Sequence, residues 1–269
     1  MVSTPIGNLG DLTYRAAEVL GSAAAVLAED TRHTRLLLDH YGIRTPMVAY
    51  HEHNEAKSVP RILARLSDGE DLALVSDAGT PLLSDPGARR VAAAIASGIQ
   101  VVPVPGASAL LASLVASGLD GERFTFFGFL PRQGRQRQDV IRDVLQSQGT
   151  AVIYEAPSRT AATLAALSGA GAADRSAVVA RELTKKFEEF RRGTVSALAA
   201  YYQNAAPRGE VVILIGPGEE AGPDEVALTA IAERFRSEGL SPRDVARRLV
   251  DEHGVPRNLA YRLAQGTAG

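Results

Sequence analysis

Ser76-Asp77-Ala78-Gly79-Thr80-Pro81-Leu82-Leu83-Ser84-Asp85-Pro86-Gly87 is the stretch that decides the fold. It follows an apolar run at residues 71–76 that reads as a buried strand, and it packs two Asp, two Gly and two Pro into twelve residues. Residues 86–97 then carry helical spacing, with Pro86 in the expected first turn. A strand that ends in a polar, glycine-bearing loop and passes into a helix is the repeating unit of an α/β fold. Ligands in open α/β sheets collect at the carboxyl ends of strands, so this loop is also the first candidate for a site.

The same unit recurs on either side. Upstream, a helix is expected near 12–20, a strand at 24–28, an amphipathic helix near 34–40 and another at 54–66. Downstream, 99–104 reads as a strand and 107–117 as a helix of small residues. A second series runs through strands at 123–129, 150–154, 177–182 and 211–215, with helices near 135–146, 158–167 and 195–203; residues 187–192 read as an edge strand or hairpin. Apolar strands without polar alternation, each separated by a helix, predict parallel pairing with both sheet faces covered. Gly and charge cluster at 118–122, which divides the chain into α/β domains at 1–117 and 122–217. A Gly- and Pro-rich linker at 216–223 leads to three helices within 224–266. Ser241-Pro242 reads as an N-cap followed by Pro at N1, and Gly254 as a stop. This tail reads equally as a helix-turn-helix-like module or as a helical cap on the second domain.

Composition limits the chemistry. The 269 residues hold 29 basic and 31 acidic side chains, for a net charge of −2, and neither Cys nor Trp. Disulfides and thiolate zinc sites are excluded, and no metal site is expected. Near-neutrality confines any nucleic-acid binding to a local patch. No apolar run approaches the roughly 18 residues of a membrane helix, so a cytoplasmic protein without a membrane partner is expected. Lys57, Lys185 and Lys186 are the only lysines, so arginine counts alone carry little weight.

Three further loops join the first as candidates. Residues 4–11, Thr-Pro-Ile-Gly-Asn-Leu-Gly-Asp, precede a helix but match neither a dinucleotide fingerprint nor a P-loop in spacing. Glu29, Asp30, Arg32 and His33 follow a strand and open a helix, where Asp30 or Thr31 could equally be a plain cap. Residues 103–109 end one strand and start the next helix. All four should lie on one sheet edge and converge on one cleft.

Nine motifs occur in order: TPIGNLGD (4–11), AEDTRHTRLLLDHYGI (28–43), HEHNE (51–55), LVSDAGTPLLSDPG (74–87), VVPVPGASAL (101–110), GFLPR (128–132), YEAPSR (154–159), ARELTK (180–185) and RGEVVILIG (208–216). Together they resemble the small-subunit rRNA ribose 2′-O-methyltransferases of the tetrapyrrole methylase superfamily, across residues 2–216. The resemblance implies an α/β, two-domain class III methyltransferase with a C-terminal helical module. Family members usually carry a complete strand before TPIGN, so a weak N-terminal sheet edge is expected.

The resemblance implies S-adenosyl-L-methionine folded into the interdomain cleft. It would meet Pro5, Asp77, Ala78, Gly79, Thr80, Pro81, Leu82, Ser84 and Asp85, then Ala107, Ser108 and Ala109. From the second domain Tyr154, Glu155, Arg181, Glu182, Leu183, Gly209 and Glu210 would face the adenosine. A ribose hydroxyl is a poor nucleophile, so a group that takes or polarises its proton should help. Asp30, His51, Glu182, Lys185 and Glu210 are the candidates, and spacing does not choose among them. For RNA contact, Arg132, Arg135 and Arg137 form the best basic loop, with Arg32, Arg35 and Arg159 as extensions. The implied substrate is a cytidine of 16S rRNA in the decoding region of the small ribosomal subunit, and the implied assembly a homodimer. Two rivals remain. A tetrapyrrole-precursor C-methyltransferase would leave AEDTRHT and the tail unexplained; a non-catalytic ribosome-binding protein would not need the DAGTP and PGAS loops.

Overall fold

The computed structural model describes residues 1–50, 55–84, 87–218 and 225–266. It divides into two compact units, Met1–Pro217 and Gly218–Gly269. The first holds two separate sheets. Its elements are α1 (Tyr14–Ser22), β1 (Ala25–Ala28), α2 (Thr31–His40), β2 (Met47–Ala49), α3 (Glu55–Ser67), β3 (Leu72–Leu74), α4 (Ala88–Ala96) and α5 (Ala109–Ser117). Then come β4 (Phe124–Phe129), α6 (Arg135–Gln146), β5 (Thr150–Glu155), α7 (Thr160–Leu167), β6 (Ser176–Arg181), β7 (Glu189–Thr194), α8 (Val195–Asn204) and β8 (Val211–Ile215).

The first sheet has the order β2-β1-β3, all parallel. Its core gathers Ala16, Leu20, Val26, Leu38 and Val75 beneath the helices. The expected strand at 99–104 is reduced to one parallel bridge, Val2 to Val104. It pairs where Met1–Ser3 runs beside it: Ser3 N–H donates to Val104 O, and Val104 N–H to Met1 O.

The second sheet, β4-β5-β8-β6-β7, corrects the parallel expectation. Only β4 and β5 run parallel; β8 lies antiparallel to both β5 and β6, and β7 returns antiparallel to β6 as the expected hairpin. Apolar strands such as Val211–Ile215 are buried on both faces whatever their direction, so burial alone does not encode it. Helices α6 to α8 cover one face. The other is covered by α5, whose Leu110 and Leu114 pack on Val152, Val178, Val212 and Leu214. Sequence order put α5 with the first domain, but its apolar face is buried against the second sheet. Each of those leucines contributes about 1.5–3 kcal/mol by burial.

A bulge in β4 matters for the site. Phe126 pairs with Val152 and Gly128 with Ile153, leaving Phe127 as the extra residue. Gly128 takes φ +62, a conformation that favours glycine. The bulge turns Phe129 onto the face already occupied by Phe126, and both rings meet Tyr154 edge-on, at 5.7 and 4.8 Å.

The second unit holds α9 (Glu225–Ser237), α10 (Pro242–His253) and α11 (Arg257–Gln265) around its own core of Leu228, Phe235, Leu249 and Leu263. Ser241 caps α10 ahead of Pro242, and Gly254 ends it in the left-handed region, as read from the sequence.

Candidate functional site

The strand ends and loops of the first unit surround a cavity of about 340 Å³. Ligand pockets run from roughly 300 to 1,000 Å³. Small residues, Ala78, Gly79, Ala109, Ala156 and Gly209, leave backbone exposed along it, while Ile6, Leu83, Leu183 and the bulge-directed Phe129 supply apolar surface.

The loop after β3 is held from several sides. Thr4 and Gly79 exchange N–H···O bonds of 2.9 and 3.0 Å, and Thr80 Oγ1 donates to Ala107 O at 3.2 Å. Leu110 N–H, in the first turn of α5, donates to the Tyr154 hydroxyl at 3.0 Å, tying this helix to β5. Among the described residues four non-glycines lie in the left-handed region: Leu82, Ser84, Glu182 and Thr184. All four sit on two loops at the cavity rim. Such conformations cost about 1–3 kcal/mol each and persist where surrounding structure enforces them, which is a mark of functional loops.

Beside the cavity lies a compact ionic cluster. Lys185 Nζ donates to Glu182 Oε1 at 3.1 Å and to Glu210 Oε2 at 3.0 Å. Glu182 Oε1 also accepts from the Glu210 N–H, at 3.2 Å. Two glycines make room for this arrangement: a Cβ on Gly7 would overlap the Lys185 stem, and one on Gly209 would overlap the Glu182 carboxyl. The glycines of TPIGN and RGE thereby make room for the side-chain cluster, and Gly209 also lines the cavity.

Electrostatics separates the proton-acceptor candidates. Desolvation works to raise the Glu182 carboxyl, but hydrogen bonds from Lys185 and Glu210 outweigh it and hold it below its ordinary value. Desolvation likewise works to lower Lys185, and the same bonds to Glu210 and Glu182 leave it raised. Lys185 is therefore an ammonium at neutral pH and cannot take a proton. Asp30 is drawn down to about 2, chiefly by the Arg32 side chain. It caps α2, accepting from Arg32 N–H at 2.8 Å, and its own N–H donates to Asp77 Oδ1 at 2.9 Å. The capping reading describes Asp30, which is too acidic to compete as a base. His51 and Asp85 fall outside the described residues.

Of the other residues expected at the cofactor, Asp77, Ala78, Gly79, Thr80, Ser84, Ser108, Ala109, Tyr154, Glu155, Leu183, Gly209 and Glu210 do line the cavity. Pro5, Pro81, Leu82 and Ala107 lie in the supporting turns, and Glu182 stands behind Gly209. Arg181 faces elsewhere, paired to Glu189 across β6 and β7 at 2.6 Å. Sequence reasoning missed Ile6, Leu83, Phe129, Ala156, Pro157, Val211 and Val212. All seven sit inside quoted motifs, but Phe129 reaches the cavity only through the bulge.

The arginine reading needs correction. Arg137 donates to Pro131 O at 3.1 Å and to Thr163 Oγ1 at 2.9 Å. Arg159 donates to Leu130 O at 2.6 Å and pairs with Glu155 at 3.2 Å. Both guanidiniums are turned inward, because the loop after β4 needs donors for its carbonyls and the buried Glu155 needs a counter-charge. Arg35, Arg132 and Arg135 are exposed; Arg32 is exposed too, though paired to Asp30.

Comparison with known proteins agrees with this architecture. The model for Tetrapyrrole (Corrin/Porphyrin) Methylases matches residues 1–199. A Synechocystis ribosomal RNA small subunit methyltransferase I is 43% identical over 267 residues, covering 98% of this chain and 96% of the relative. Its Mesorhizobium japonicum counterpart is 48% identical over 247 residues, covering 90% and 84%. A crystal structure of diphthine synthase shares the fold at a TM-score of 0.63 and 15% identity, covering 80% of this chain and 88% of that one. On this agreement of sequence and fold, the chain belongs to the tetrapyrrole methylase family, and within it to the ribosomal RNA small subunit methyltransferase I family.

Proposed function

We propose that this protein transfers a methyl group from S-adenosyl-L-methionine to the ribose 2′-hydroxyl of a cytidine in the decoding region of 16S rRNA, acting on the small ribosomal subunit as a cytoplasmic homodimer. The observation that carries the reading is the cavity with a Glu-Lys-Glu cluster at its edge, in a chain whose close relatives bear rRNA methyltransferase names. Among the described residues no helix is long and apolar enough to cross a membrane.

The cavity suits the cofactor. Bare backbone at Ala78, Gly79 and Gly209 can read polar edges at close range, while Ile6, Leu83 and Leu183 face an apolar chain. Bound there, S-adenosyl-L-methionine supplies an electrophilic methyl on a sulfonium, whose in-line displacement by oxygen leaves S-adenosylhomocysteine. The protein's contribution is chiefly placement of the two reactants. Glu210 takes or polarises the hydroxyl proton: it lines the cavity, its side chain is 73% exposed, and only Oε2 is bonded to Lys185. Lys185 holds the Glu182 carboxyl below its ordinary value and keeps both carboxylates in position.

The direct test uses labelled S-adenosyl-L-methionine and small subunits that lack the modification, followed by nuclease mapping. Label at one cytidine 2′-oxygen of 16S rRNA is expected. Cofactor binding without transfer to 16S rRNA would overturn the substrate reading.

Two variants separate cofactor from RNA. Asp77→Ala removes a cavity-lining carboxylate and the acceptor of the Asp30 N–H. About a tenfold loss of S-adenosylhomocysteine affinity is expected by calorimetry, as for one charge-assisted hydrogen bond. Replacing Arg132 and Arg135 together by Glu should raise KM for the subunit and flatten its salt dependence, with Tm unchanged. Arg137→Ala should instead lower Tm, since its guanidinium braces Pro131 and Thr163.

A further inference from the structure

The loop from β6 to β7 displays an aromatic ring that folding does not require. Lys185 N–H donates to Glu182 O at 3.0 Å, and Glu188 N–H to Lys185 O at 3.1 Å. The second bond closes a four-residue turn with Lys186 and Phe187 at its centre. Thr184 N–H donates to Glu188 Oε2 at 2.6 Å, bracing the turn from within. Phe187 is nevertheless 65% exposed, and the Lys186 ammonium lies 5.6 Å from its ring centroid. A lone exposed apolar residue needs no explanation. This one is held on a rigid turn, partnered by a cation and two residues along the chain from Lys185. Arg208, also exposed, directly precedes Gly209 and Glu210 on the other side of the cluster.

We propose that Phe187 is a stacking platform for an unpaired base of the RNA beside the acceptor nucleotide, with Lys186 and Arg208 meeting the flanking phosphates. The proposal rests on the RNA-methylating reading above and deepens it. Proteins that recognise RNA by its bases target unpaired residues, which can be splayed out and stacked on aromatic side chains. Stacking suits any base, and neighbouring cations track the backbone. A preformed turn loses little entropy on binding, so the ring's contact appears as affinity. Charge complementarity points to RNA as the occupant, since the ammonium of Lys186 beside the ring and the exposed Arg208 suit a phosphate backbone.

The chain has no Trp, so Phe187→Trp installs a single reporter. Its emission should be quenched saturably by a single-stranded oligonucleotide of 16S rRNA sequence, and far less by the same sequence as a full duplex. In methyl transfer to unmodified subunits, Phe187→Ala should raise KM about tenfold, the effect of one lost stacked base. Its kcat and S-adenosylhomocysteine affinity should stay unchanged, and Phe187→Tyr should restore KM. Absence of quenching, or an unchanged KM in Phe187→Ala while 16S rRNA is still methylated, overturns the platform and leaves the methylation reading standing. Emission that follows protein concentration without RNA assigns the ring to self-association and overturns the platform equally. Failure of the unsubstituted protein to methylate 16S rRNA, with cofactor bound, is the separate failure of the underlying reading.

Discussion

Glu155→Ala should lower the stability of the first unit by about 3–5 kcal/mol, the usual effect of removing one partner of a buried ion pair. The Glu155 side chain is fully buried. Its Oε1 meets Arg159 Nε at 3.2 Å and accepts from Ala156 N–H at 2.8 Å; Oε2 accepts from Thr163 Oγ1 at 2.6 Å. Truncation leaves a guanidinium, a hydroxyl and an amide facing a void, each without the acceptor it was desolvated to meet. At roughly 2–4 °C per kcal/mol for a unit of this size, Tm should fall by about 6–20 °C in a thermal melt. Arg159→Ala in the Glu155→Ala background should cost less than in the native chain, because the two groups share one interaction. A loss under about 1 kcal/mol would show that the network does not hold the fold. The same variant should weaken the cofactor site, since Arg159 also secures the Leu130 carbonyl next to Phe129.

Lys185→Ala should reduce kcat by about a hundredfold, within the range of proton-transfer assistance, while S-adenosylhomocysteine affinity changes little. The native cluster has a defined pH window. Glu182 lies below its ordinary 4.5, so the ion pair is present above that value and lost as pH falls through the lowered one. Lys185 lies above its ordinary 10.5, so its contribution is present below that value and lost as pH rises through the raised one. Between about pH 5 and 10 the cluster is intact, and the native rate profile should carry no limb from Lys185. Removing the ammonium takes away a hydrogen bond and a charge that hold Glu182 below its ordinary value, so its proton affinity rises. The acid limb of kcat/KM should then move to higher pH in Lys185→Ala, a change that loss of packing alone would not produce. An unshifted limb with native kcat would remove Lys185 from the mechanism.

Much of the architecture could be read without coordinates. The loops after short apolar strands, the β7 hairpin and the caps of α10 are local features, written in the glycine, proline and apolar spacing of consecutive residues. Two fold expectations failed for a common reason: strand direction in the second sheet, and the sheet that α5 joins. Val211–Ile215 and Ala109–Ser117 are apolar with little patterned polarity, so they state that they are buried and not against what.

The candidate site divides along the same line. Backbone-defined members such as Asp77, Gly79 and Gly209 stand in motifs whose composition marks them. Phe129 enters through one extra residue in β4, a change of register rather than of residue type. The arginines illustrate the limit most clearly. Arg132, Arg135 and Arg137 look alike in sequence, yet the first two are exposed and the third is bonded to Pro131 and Thr163. Sequence determined residue chemistry, local conformation and the family to which the chain belongs. Only tertiary structure decided which charges meet each other and which meet solvent, because a contact such as Lys185–Glu210 depends on the distance between segments 25 residues apart along the chain.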